Sequence, residues 1–151
     1  MGGKMAFFGC FGTDLCARRI FETRAQYLCA PILHYSLDGL VALCYGEKEF
    51  SHAYDTRESR FFIATESKEK AISISEGTVA RLYRRYGKRL AEHMPWQTAF
   101  SVYDSKKGVL MLGGAQGAVC FTEYVRDVLF FSSDPTLLRD PTPSYFSVFS
   151  A

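Results

Sequence analysis

Apolar residues along this chain switch between a strand-like and a helix-like period. Met5-Ala6-Phe7-Phe8-Gly9-Cys10-Phe11 is a continuous apolar run closed by Gly12, which predicts a strand buried on both faces. Thr13 and Asp14 then offer N-caps for a helix through Leu15, Ala17, Ile20, Phe21 and Ala25, and Pro31 blocks its continuation. Ile32 to Ser36 and Leu40 to Cys44 flank Asp38-Gly39, a turn pair that predicts a hairpin. Ser51 to Arg60 is polar and reads as a short helix or a loop. Phe61 to Thr65 has strand composition, and Glu66 to Lys70 reads as an exposed turn. Ser75 caps a predicted helix whose apolar positions Val79, Leu82, Tyr83, Tyr86 and Leu90 recur at helical steps.

Beyond Pro95-Trp96 the pattern is that of strands. Thr98 to Tyr103 and Val109 to Leu112 predict one hairpin; Ala118 to Tyr124 and Val128 to Ser132 predict another around Val125-Arg126-Asp127. Pro141, Pro143 and the aromatic run Tyr145 to Phe149 close the chain as an added strand or a docking tail. The order of strand, helix, strands, helix and four consecutive strands predicts an α+β layered domain with largely antiparallel sheets. We divide it into one domain over residues 1–141 and an aromatic C-terminal tail over residues 142–151.

Composition narrows the class. At 151 residues, 48% of them hydrophobic and 15% aromatic, the chain holds one core and needs no metal or disulfide to fold. A formal charge of +2, with a basic cluster at Arg81, Arg84, Arg85, Lys88 and Arg89 on one helical face, predicts a solvated surface rather than a nucleic-acid site. Cys10, Cys16, Cys29, Cys44 and Cys120 are odd in number and form no Cys-x-x-Cys pair, as expected of free thiols in a reducing compartment. No run approaches a membrane span or a signal peptide, so a cytoplasmic protein without membrane contact is expected. His34, His52 and His93 lie apart from the cysteines at no ligand spacing, and no metal or cofactor is expected. Gly113-Gly114-Ala115-Gln116-Gly117 lacks the lysine of a phosphate loop and reads as a flexible hairpin turn.

Taken in order, several segments resemble the class II glutamine amidotransferase domain found at the start of asparagine synthetases. Ala30-Pro31-Ile32, the hairpin and Tyr45-Gly46-Glu47 resemble that family's Gln-Pro-Met, strand and Asn-Gly-Glu segment. Thr98-Ala99-Phe100-Ser101-Val102-Tyr103-Asp104 resembles its Phe-Ala-Phe-x-Ile-Tyr-Asp strand, and Phe131-Ser132-Ser133-Asp134 with Leu137-Leu138 its Phe-Ala-Ser-Glu and paired leucine. The opening strand is similar too, with Met5 in the place of the family's cysteine. Each motif is weak alone; the shared order over most of the chain carries the resemblance. It implies the N-terminal nucleophile hydrolase fold, a four-layer αββα sandwich.

The resemblance also implies a site, and this sequence departs from it. The family attacks glutamine with an N-terminal cysteine whose own amino group is the base; Met1, Gly2 and Gly3 offer no such group. Tyr45 replaces the oxyanion asparagine, beside Gly46 and Glu47. Ser75-Glu76 stands where a serine and a shorter aspartate would bind the substrate's amino group, and the carboxylate-binding arginine falls on Arg18 or Arg19. A degenerate, non-catalytic domain is therefore expected, acting as a subunit or scaffold of an ATP-dependent synthetase or as a homo-oligomer. Its vestigial pocket is Tyr45, Gly46, Glu47, Ser75 and Glu76, and its contact residues are Tyr145, Phe146 and Phe149. Two alternatives remain: cleavage before Cys10, exposing a new N-terminal thiol, and a small-molecule binding module that reuses the old pocket.

Overall fold

Because side chains alternate across a strand, an unbroken apolar strand must be covered on both faces. The first strand meets that requirement. In a computed structural model that describes residues 6–27, 33–45, 61–67, 76–94 and 97–150, β1 (Phe7–Phe11) is buried along its whole length. Helix α1 (Leu15–Ala25) follows, its N-terminus capped by the Asp14 carboxylate, which accepts from the Ala17 N–H at 2.9 Å. Strands β2 (His34–Tyr35) and β3 (Val41–Tyr45) form the predicted hairpin, pairing Tyr35 with Ala42. Then come β4 (Phe61–Ser67), α2 (Glu76–Tyr86) and a 3-10 helix over Gly87–His93. The chain continues through β5 (Thr98–Asp104), β6 (Val109–Gly114), β7 (Cys120–Val125), β8 (Val128–Ser132), β9 (Thr142–Ser144) and β10 (Phe146–Ser150).

Among the described residues the strands form two antiparallel sheets, ordered β2-β3-β1-β8-β7-β9 and β10-β6-β5-β4. Alternation sorts their side chains into three apolar layers. Phe7, Phe11, Leu43, Tyr45 and Phe131 of the first sheet meet Phe62, Tyr103, Leu110 and Leu112 of the second, forming the core between the sheets. Phe8, Cys10, Cys44 and Phe130 point the other way, onto Ala17, Phe21 and Ala25 of α1. Ile63, Phe100, Val102 and Met111 point out from the second sheet onto Val79, Tyr83 and Leu90. The layers are therefore helix, sheet, sheet, helix, the α+β sandwich that the sequence predicts.

Several elements differ from expectation for physical reasons. Leu15 and Ile20 lie on the solvent side of α1, because only the stripe Ala17, Phe21 and Ala25 meets the sheet. Glu66 and Ser67 continue β4 rather than turning, since they pair with Ala99 and Thr98. The second helix changes to 3-10 form where Gly87 adopts φ of +55°. Gly113 and Gly114 are strand, not turn: a Cβ on Gly114 would lie 2.1 Å from the Ala118 carbonyl oxygen. Residues 142–150 are built into the edges of both sheets as β9 and β10, the added-strand form of the tail. Ser51 to Arg60 lies outside the described residues.

Candidate functional site

Strand β1 enters the sandwich at Phe7, and the ends of β3 and β8 lie on either side of it. We call this end the front. The backbone of Phe7 is fully engaged there: its N–H donates to Ser133 Oγ at 2.9 Å. Its carbonyl accepts from Ser132 Oγ and from the Ser133 N–H, both at 3.0 Å. Between the sheets, the Phe7 ring meets Tyr45 at 6.5 Å and Phe131 at 6.4 Å, each edge to face. Phe7 and Phe131 have no exposed surface and Tyr45 has 6%. Among the described residues the front is a packed aromatic plug.

Tyr45 is thus core, the last residue of β3. Gly46, Glu47 and Ser75 lie outside the described residues, as does the opening segment through Met5; Glu76 is the first residue of α2. Cys10 sits mid-strand, paired with Ala42 on one side and Phe130 on the other, with its side chain against α1 rather than between the sheets. Burial pushes its thiol up to about 11, despite the nearby Arg18 charge. Burial likewise pushes Cys44 and Cys120 up to about 12, and the Cys120 thiol donates to the Phe100 and Gly113 carbonyls at 3.3 Å. A nucleophilic thiol requires the opposite shift. Arg18 is also committed: its Nε donates to the Gly12 carbonyl at 2.8 Å and its guanidinium to that of Gly39, tying two loops together. In the tail, Tyr145 is 69% exposed and Phe146 38%, while Phe149 packs on the inter-sheet core.

The opposite end of the sandwich, the back, is more polar. Tyr103, fully buried between the sheets, donates its hydroxyl to Asp38 Oδ2 at 2.5 Å across the sheet gap. Tyr83 donates likewise to Asp104 at 3.0 Å. Burial works to raise Asp38, but hydrogen bonds from Tyr103, the Leu40 N–H and Ser36 outweigh it and hold the carboxyl below its ordinary value. Burial and the same bond push the Tyr103 phenol well up. Beside this network a cavity of about 500 Å³ is floored by Phe11, Leu129 and Phe149 and rimmed by Asp14, Arg126 and Asp127. Arg126 pairs with Asp14 at 3.2 Å on that rim. The sequence reading missed this end. The signal was Arg126-Asp127, whose φ of 49° and 66° makes the tight two-residue turn that forms the rim. Among the described residues no group of side chains could hold a metal ion, and no helix is long and apolar enough to cross a membrane.

No family model matches the chain and no curated protein matches it in sequence. Among solved structures it is similar to a glutamine phosphoribosylpyrophosphate amidotransferase from B. subtilis, solved with ADP and GMP, with a TM-score of 0.60 at 9% identity. The match covers 96% of this chain and 49% of that one, so the chain spans about half the length of its neighbour. At that identity the likeness is one of fold.

Proposed function

We propose that this chain is a non-catalytic domain with the N-terminal nucleophile hydrolase form of the αββα sandwich. In this reading it acts as a subunit or scaffold for an ATP-dependent, amide-forming synthetase of asparagine-synthetase type. The shared fold with an amidotransferase supports the first half. In that neighbour the fold makes up about half of a longer chain, as expected of a domain that works beside another.

The observation that carries the non-catalytic reading is the aromatic plug. Acyl transfer from glutamine needs a nucleophile, its base and an oxyanion donor around one open position. Among the described residues, the front of β1 offers no such opening: the rings of Phe7, Tyr45 and Phe131 pack together between the sheets, and the backbone groups of Phe7 are already spent on Ser132 and Ser133. Cleavage before Cys10 would cut β1 between two paired neighbours and free a thiol that faces α1.

The test is ammonia release from glutamine, measured with the wild-type chain and with Cys10→Ala, alongside intact mass. Background release from both, with residues 1–9 retained, is expected; release abolished by Cys10→Ala overturns the reading. For the scaffold half, affinity capture with the full chain from its native host should recover an ATP-dependent amide-forming synthetase.

The back cavity favours one other reading, a small-molecule binding module placed away from the pocket the sequence suggested. A thermal-shift screen with amino acids distinguishes it. A ligand that raises the melting temperature of the wild type but not of Leu40→Trp would occupy that cavity.

A further inference from the structure

A strand at a sheet edge presents unpaired N–H and C=O groups, and soluble proteins defend such edges by shortness, charge or proline. Among the described residues, three of the four edges are defended: β2 has two residues, β9 carries Pro143 at its centre, and β4 carries Glu66. Strand β10 has none of these devices. It is five residues long, and Ser144 to Ser150 contains no charged residue.

The register shows which groups are unpaired. The Gly114 N–H donates to the Tyr145 carbonyl at 3.1 Å, so Tyr145, Ser147 and Phe149 direct their backbone groups at β6. Phe146, Val148 and Ser150 therefore direct theirs outward, where no strand pairs with them among the described residues. Phe149 anchors the strand on the core, while Phe146 and Val148 remain 38% and 37% exposed on the outer face.

We propose that β10 is an interface strand at which a second copy of this chain adds antiparallel, about a two-fold axis through Val148, fusing two four-stranded sheets into one. Charge selects this occupant. A two-fold pairing sets the central residue against itself, so a charge at that position would repel its mate, and like charges along the edge would add to the repulsion. Strand β10 carries none, which suits self-pairing and offers nothing to steer a charged partner. In this register Val148 opposes Val148, Phe146 opposes Ser150, and the outward groups make about six main-chain hydrogen bonds. The inference goes beyond the proposed function and does not depend on the front being silent. Ammonia release and dimerisation can therefore fail separately.

The geometry supplies a variant that separates pairing from folding. Because the Val148 N–H points away from β6, proline there removes no hydrogen bond of the monomer, yet it removes both bonds across the axis. Sedimentation of the full-length chain should show a concentration-dependent dimer unaffected by salt. Val148→Pro should raise its dissociation constant by on the order of thirtyfold with an unchanged circular dichroism spectrum. Val148→Thr should retain the dimer. Opposed side chains in such a hydrogen-bonded pair start about 5.5 Å apart, beyond a direct disulfide but within the span of a short bifunctional thiol reagent. Val148→Cys in a chain carrying Cys16→Ser and Cys29→Ser should therefore cross-link to a dimer with such a reagent. A wild type that sediments as a monomer overturns the proposal, as does a dimer that Val148→Pro leaves intact or that Val148→Cys fails to cross-link.

Discussion

If the front of β1 is packed core and not a relict site, truncating Phe7 must produce the full cavity penalty. The Phe7 side chain is completely buried and contacts two rings edge to face. A Phe→Ala change at such a position destabilises by about 3–5 kcal/mol, through lost transfer energy and the void left behind. In urea, with an m-value near 2 kcal/mol/M, this moves the unfolding midpoint down by about 2 M; by heat it lowers Tm by roughly 10 °C. Leu15→Ala is the control: Leu15 is 77% exposed, and its loss should change stability by less than about 0.5 kcal/mol. The double variant with Phe131→Ala should show a coupling of about 0.5–1.5 kcal/mol, the worth of the edge contact beyond burial. The measurement is equilibrium urea unfolding of the wild type, Phe7→Ala, Phe131→Ala, the double variant and Leu15→Ala. Active sites are often held at the expense of stability, so filling or relaxing them is neutral or stabilising. A Phe7→Ala penalty below about 1 kcal/mol at unchanged m would refute the plug and reopen the front as a site.

Three further outcomes follow from the same geometry. Gly9 lies between sheets where a Cβ would be 2.3 Å from the Phe131 ring and 2.7 Å from Leu43, so Gly9→Ala should destabilise by about 1–3 kcal/mol by urea unfolding. Burial holds the Cys10, Cys44 and Cys120 thiols neutral well above their ordinary range, so native-state alkylation at pH 8 should label exposed Cys16 while these three react only on unfolding, as read by peptide mass. Tyr103→Phe should cost about 1 kcal/mol at neutral pH, discounted because Asp38 is exposed. Asp38 has its folded pKa depressed, so its share of that difference is present above about pH 4 and fades as acid titrates the folded carboxylate. Tyr103 has its pKa raised, so its share is complete below about pH 10 and is lost in stronger alkali. A wild-type-to-variant gap independent of pH would break that linkage.

Local chemistry made much of the fold legible. Asp38-Gly39 and Arg126-Asp127 announce hairpins, and both form: the first through a longer loop closed by the Ser36 N–H on the Val41 carbonyl with Gly39 at φ of +74°, the second through a two-residue turn. Asp14 caps α1 because a carboxylate before an apolar stripe satisfies a free N–H. What failed to show in the sequence depends on distant neighbours. Gly113 and Gly114 look like a loop until the Tyr145 and Ala118 carbonyls are found against them. Leu15 and Ile20 fit the helical period yet face water, since the period does not say how wide the buried stripe is. The site was less legible than the fold. Tyr45 looks like the remains of a pocket in sequence because its neighbours Gly46 and Glu47 follow a motif, whereas its ring partner Phe7 lies far away along the chain.

The two ends of the sandwich and its undefended edge meet in β10. Its first residues run beside Gly113 at the front, and Phe149 and Ser150 form part of the cavity wall at the back. The Phe149 ring stands edge to face with Tyr124 at 6.5 Å, so β7 holds the wall from one side, and a strand added at the outer edge would hold it from the other. Pairing at Val148 sets Ser150 opposite Phe146 of the second copy, which fixes the backbone of the residue at the cavity mouth. An edge strand bonded on one side frays more readily than one bonded on both. The proposed dimerisation would therefore stiffen the cavity wall, and by linkage any ligand that favours the ordered wall would strengthen the dimer by the same factor.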